Sequence, residues 1–180
     1  KTPDITPLPL YDENHPMLKR RIPEHQGPIP SPLISNLTSR LKMTLKLYGA
    51  IGLSANQCGY NYRVFVMGSG DEYVAFFNPK IISVSEETIR MEEGCLSYMD
   101  LFLNIERPST IEVEYQDFTG TTKTTKFAGL TARCFQHELD HMNGIVYTSR
   151  VKPLALQFGL KKLEKMGESS QEGLPLFCIP

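Results

Sequence analysis

Two histidines four residues apart, His137 and His141 in TARCFQHELDHMNG, constrain this chain more than any other feature. Residues i and i+4 stand over one another on a helix, so a helix through 137–141 presents both imidazoles on one side, where one metal ion bridges them. The rest of the chain must then carry a third ligand to that helix. Glu138 sits one residue on from His137, within reach of a water acidified by such a metal, and a carboxylate there can take a proton and pass it to a leaving group. The competing reading of so short a pattern is a pair of surface histidines on an acidic helix face.

The suppliers of a third ligand differ in what they require. Gly144 lies where one metalloprotease pattern has its glycine, but that pattern needs a third histidine where this chain has Tyr147. His15 and His25, the only other histidines, lie in a proline-rich stretch that would have to fold over the site. Glu164, Glu168 and Glu172 suit a second metallopeptidase pattern and read equally well as solvated carboxylates. Cysteine remains: Cys95, in MEEGCLSY, and Cys134, three residues before His137, which fits better packed beneath the site. A thiolate with two imidazoles leaves one coordination position open, as catalytic sites do. Spacing does not choose among these suppliers.

The organisation of the chain fits α+β, with strands forming a mixed or antiparallel sheet around a central helix that carries HExxH. At 180 residues it suits a single catalytic domain, 1–180. Eight of the thirteen prolines fall before residue 33, predicting an extended arm over 1–32. SPLISNLTSRLKMTLKLYG sets Leu33, Leu37, Leu41 and Leu45 four apart, with Ile34 and Tyr48 beside them, and predicts a helix ending near Gly49. YRVFVM, YVAFF, KIISVS, TIEVEYQD and TTKTTKFAG read as strands. Helical spacing returns with Leu130, Cys134, His137 and His141. A last helix is expected over about 152–166, with Lys161, Lys162 and Lys165 on its polar side and a tail over 167–180 in which Leu174, Leu176, Phe177 and Ile179 need a groove.

Composition narrows the function classes. Nineteen basic and twenty acidic side chains give a formal charge of -1, with no basic block to follow a phosphate backbone, so no direct nucleic-acid substrate is expected. No apolar run is long enough to span a membrane. Four cysteines are too sparse for a disulfide scaffold at this length and read as free thiols.

Three stretches taken together, AIGLSANQ at 50–57, EGCLS at 93–97 and QHELDH at 136–141, resemble the peptide deformylases in order and spacing, and YDENHPMLK resembles an early loop of that family. The resemblance implies a small α+β enzyme that hydrolyses the N-formyl group from the N-terminal formylmethionine of nascent polypeptides and releases formate. It implies Cys95, His137 and His141 as metal ligands, Glu138 as general acid and base, and Gln57 with the backbone N–H of Leu96 as oxyanion donors. Ile51, Gly52, Leu53 and Gly94 are expected along the substrate, which would pair with the 51–53 backbone as an added strand. One divalent metal per chain is implied: ferrous iron in vivo, with nickel, cobalt or zinc in purified protein. The ligand types alone would have pointed to zinc.

The implied partner is the formylated nascent chain, with a transient ribosome contact through the lysine-bearing last helix, as a monomer. The expected location is cytoplasmic, in a bacterium or in the host of a virus that encodes the protein, with an organelle open because the chain begins at Lys1. Ala50 and Ser54 stand where the family has glycine and alanine, and Phe102 makes the entrance more apolar; all three are expected to alter the pocket rather than the reaction. Glu93 and Arg107 are expected to pair across strands and hold the Cys95 loop. The rival readings are a metallopeptidase with Glu164 as third ligand, indifferent to loss of Cys95, and a binding domain with a closed structural metal, indifferent to loss of Glu138.

Overall fold

The computed structural model describes residues 6–167. Three helices, α1 (Pro32–Tyr48), α2 (Gly129–Met142) and α3 (Pro153–Gly167), accompany seven strands: β1 (Gly52–Ser54), β2 (Val64–Ser69), β3 (Glu72–Val84), β4 (Thr88–Cys95), β5 (Tyr98–Pro108), β6 (Thr110–Gln116) and β7 (Thr122–Ala128). Five strands form one sheet in the order β1-β2-β3-β6-β7, and β4 and β5 form a separate two-stranded sheet. Every pairing is antiparallel, so the mixed alternative does not occur among the described strands.

The run VFVM in β2 is buried on both faces because a helix covers each. Val64 and Val66 join a core cluster with Leu37, Leu41 and Leu45 of α1, whereas Phe65 and Met67 join a second cluster with Phe135 and Met142 of α2. Alternation along a strand sends successive side chains to opposite faces, so a continuous apolar run is what a doubly covered strand needs. Strand β6, between β3 and β7, buries only Ile111, Val113 and Tyr115, every second residue.

Helix α1 starts at Ser31, whose side chain accepts from the Ile34 N–H at 3.3 Å, and stops at Gly49, left-handed at φ 64°. Its buried face is Ile34, Leu37, Thr38, Leu41, Thr44 and Leu45, while Leu33 is 57% exposed. The expectation of one four-leucine face is corrected here. Spacing by four overshoots a helical turn by ~40° each step, so the row drifts by ~120° over three steps and its first member leaves the core. Leu130, at the start of α2, is 46% exposed.

The sequence-predicted strands YVAFF and KIISVS are one strand, β3, which runs through Asn78 at φ 48° and shifts register against β6 between Phe77 and Lys80. The β4–β5 hairpin was not expected, and Cys95 ends β4 rather than sitting in a loop between strands. The hairpin packs under α3, where Gly159 meets Leu103 too closely to carry a side chain. Tyr147 donates its hydroxyl to the Leu101 carbonyl at 2.6 Å.

The described proline-rich residues, 6–31, hold one 3-10 helix, Pro16–Lys19, and bury Leu8, Leu18 and Ile22. Ile22 donates its N–H to Met142 O at 2.8 Å, and the Arg63 guanidinium spans Ile22 O and Met142 O, tying this stretch to the end of α2. The expectations for Leu174, Leu176, Phe177 and Ile179, and for Glu168 and Glu172, lie outside the described residues.

Candidate metal centre

The third candidate ligand comes from β4. Cys95 Sγ and one ring nitrogen each of His137 and His141 lie within 4.8 Å of one another, all three side chains buried. Among the described residues no other group of histidine, cysteine or carboxylate side chains is so arranged. Cys95 Sγ is 3.3 Å from Nε2 of His141. His137 engages Glu93 Oε2 through Nδ1 at 2.9 Å, which leaves Nε2 for the cluster. Glu164 is exposed on α3 and takes no part, and Cys134 lies apart, its Sγ 3.7 Å from Ile51 O.

A charged network fixes this arrangement. Glu93 accepts from Arg107 Nη2 at 3.0 Å and Arg133 Nη1 at 2.8 Å as well as from His137. Arg107 also reaches Asp140 at 2.9 Å, and Asp140 is clasped by Arg150 through two bonds of 2.6 Å. Glu93 lies on β4, Arg107 on β5, and Arg133, His137 and Asp140 on α2. The Glu93–Arg107 pair, expected from the family resemblance, is present across β4 and β5. Arg133, Asp140 and Arg150 were missed, because a single charge gives no sign in the sequence of where its partner stands.

The electrostatics follow from these contacts. Burial raises the Glu93 carboxyl, but the bonds from His137 and Arg107 outweigh it and hold the group well below the usual carboxylate range. Burial opposes a charge on His137, yet Cys95 and Glu93 beside it raise its pKa to about 10. A divalent cation held by the same atoms would take the place of that proton. Glu138 is 3% exposed; burial pushes its carboxyl up to about 7, against the two histidines, which lower it. Its Oε2 has no hydrogen-bond partner among the described residues, as befits a carboxylate kept for a ligand or water.

Gln57 lies in a 3-10 turn, Ala55–Cys58, directly after β1. Its Nε2 points at Ser97 Oγ, 3.2 Å away, and at Cys95 Sγ, 3.5 Å away, and its Oε1 is held by the Ser54 N–H and hydroxyl at 3.0 and 2.9 Å. Asn56 Nδ2 bonds His141 O at 2.8 Å and joins this turn to α2. The S-x-x-Q spacing of Ser54 and Gln57 is that of a capping box, a signal in the sequence that went unread. Ser54 therefore faces Gln57.

The glycines mark close approaches. A Cβ on Gly52 would lie 2.6 Å from Glu138 Oε1 and 2.7 Å from Cys134 Sγ, so β1 crosses directly over the α2 carboxylate. Gly94 is covered by Phe102, whose Cε1 would lie 2.7 Å from an added Cβ; Phe102 therefore packs on the cysteine strand. Ile51 lines a cleft of about 430 Å³ with Met67, Phe76, Phe127, Leu130 and Cys134. Leu53 is wholly buried in the core cluster under α1. No described helix is long and apolar enough to cross a membrane.

Comparison with known proteins finds one family throughout. The family model described as polypeptide deformylase matches residues 7–157. The peptide deformylase of Thermotoga neapolitana is 39% identical over 132 residues, 73% of this chain and 80% of that protein. The crystal structure of a peptide deformylase from Synechococcus elongatus in complex with actinonin superposes with a TM-score of 0.81 at 31% identity, covering 87% of this chain and 85% of that one. The peptide deformylase from Thermotoga maritima gives 0.78 at 34% identity over 82% of this chain and 99% of that one.

Proposed function

This chain belongs to the polypeptide deformylase family, and from that premise we propose that its buried Cys95, His137 and His141 hold one divalent metal, ferrous iron in the cell, for hydrolysis of the formyl group of N-formylmethionyl peptides. The observation that carries the reading is the convergence of these three ligand atoms within 4.8 Å, beside a buried carboxylate. A thiolate and two imidazoles suit such a cation. The ion supplies Lewis acidity and an acidified water.

The remaining chemistry belongs to the chain's own side chains. Glu138, with its pKa near neutrality, takes a proton from the attacking water at its unpartnered carboxylate oxygen and returns it to the departing amine. Gln57 Nε2 and the Leu96 N–H donate to the formyl oxygen as negative charge develops there, in a site from which water is largely excluded. The 51–53 backbone and Gly94 align the peptide as an extended strand, and Ile51 offers an apolar wall to the methionine side chain. Glu93 keeps His137 in the tautomer that presents Nε2. Activity requires formylated nascent chains, so the reading places the protein beside ribosomes that start on formylmethionine, in a bacterial cytoplasm or an organelle. Exposed Lys161, Lys162 and Lys165 on α3 are the candidate contact with that particle.

The test is formate release from formyl-Met-Ala-Ser by protein purified without oxygen and reconstituted with ferrous iron, beside Glu138→Ala treated identically. Release that is metal-dependent and absent in the variant is expected. Background release by protein with iron demonstrably bound would sink the assignment. The metallopeptidase rival predicts instead that Cys95→Ser keeps its activity, whereas here it loses both metal and turnover.

A further inference from the structure

Ser54 is fully buried and held in place by its backbone, which pairs with Phe65 of β2. Its relation to Gln57 follows from the chemistry of donors. The Ser54 N–H can only donate, so the Gln57 atom 3.0 Å from it must be the amide oxygen. The amide nitrogen is therefore on the other side, directed at Ser97 and the cysteine ligand. The hydroxyl of Ser54 is 2.9 Å from that same oxygen, and an oxygen that only accepts requires the hydroxyl to donate.

We propose that Ser54 is a positioning residue for the oxyanion donor: its hydroxyl, together with its N–H, locks the Gln57 amide in one orientation and polarises it. Two donors fill both lone pairs of Oε1, so no free acceptor remains to favour a rotated amide. They also draw electron density from the nitrogen, and linked hydrogen bonds in a buried site strengthen one another, so Nε2–H donates more strongly to a developing negative oxygen. Alanine at this position keeps the N–H and loses the second donor. A purely structural alternative is that Ser54 only caps the Ala55–Cys58 turn. The proposal rests on the deformylase reading above.

The experiment compares wild type, Ser54→Ala, Gln57→Leu and the double variant as iron-reconstituted proteins acting on formyl-Met-Ala-Ser, and follows the Gln57 side-chain amide of ¹⁵N-labelled wild type and Ser54→Ala by NMR. In Ser54→Ala, kcat should fall about threefold to tenfold, the size expected for one neutral hydrogen bond, at unchanged KM. The same substitution in the Gln57→Leu background should cost nothing further. The Gln57 amide protons should move upfield and exchange faster with solvent. An unchanged kcat, or an equal loss in both backgrounds, overturns the role of Ser54 and leaves the deformylase reading intact. A wild type that releases no formate overturns both.

Discussion

Glu93 is a carboxylate with no solvent exposure that serves two guanidinium groups and a histidine at once. Replacing it by glutamine keeps the volume and leaves Arg107 and Arg133 buried against one fewer negative charge. Breaking a buried pair from one side typically costs about 3–5 kcal/mol, and loss of a partner to a ligating histidine typically costs about 10–100-fold in metal affinity. Glu93→Gln should show both, in urea melts and in metal titration; a variant as stable as wild type would mean that the arginines are satisfied elsewhere. Gly52 poses the opposite case, a site where any side chain is too much. Gly52→Ala should push the Glu138 carboxylate aside and lower kcat at least tenfold while the cooperative thermal transition survives, because the clash is with a side-chain end and not with backbone. The family resemblance places this glycine along the substrate, while the sequence alone names no neighbour for it in the fold. It could not show that α2 passes underneath, since that contact joins residues far apart in the chain.

At the scale of elements, legibility tracked how faithfully a segment obeyed a single period. Helix α1 was readable in its extent and its terminal glycine, though not in its exact buried face, and β6 was readable from its clean alternation. The β4–β5 hairpin was not, because Glu93 and Arg107 occupy buried positions where an apolar side chain would have completed the pattern. The functional site broke the very rule by which its strands would have been found. The β6–β7 connection shows the other use of a carboxylate. Asp117 accepts from the Thr119 hydroxyl and N–H, from the Thr121 N–H and from Lys123 at 3.0 Å. The bonds from Thr119 and Lys123 hold its carboxyl well below the ordinary range. The folded chain thus binds this proton less tightly than the unfolded one, whose Asp titrates near pH ~3.9. The stabilisation is complete above that value and fades as pH falls below it. Asp117→Asn should accordingly melt below wild type at pH 7, with the gap closing from about pH 4 downward. Thermal melts across that range decide it, and a gap that stays constant with pH would assign the effect to turn geometry.

Across the whole molecule, the candidate metal ligands come from two bodies, Cys95 from the separate hairpin sheet and the histidines from the helix that covers the main sheet. A cation joining them is bound only when both are in place, so its binding free energy adds to the stability of the complete fold. At a free metal concentration a hundredfold above Kd the gain is about 2.7 kcal/mol, or about 5–11 °C in Tm for a chain of this length. The ionic network makes a second, metal-independent tie between the same two bodies, because Arg107 links β5 to Asp140 of α2 and Arg133 links α2 to β4. Stripping the metal should therefore lower Tm by that amount and leave a folded protein with its near-ultraviolet circular dichroism retained. Hydrogen exchange should quicken first in β4 and β5, the strands that lose a tether while the five-stranded sheet keeps both its helices. Cys95→Ala should match the stripped protein and show no response to added metal. If the stripped protein unfolds outright, the two ties are not independent, and the arginine–carboxylate network holds the hairpin only when the cation has already placed it.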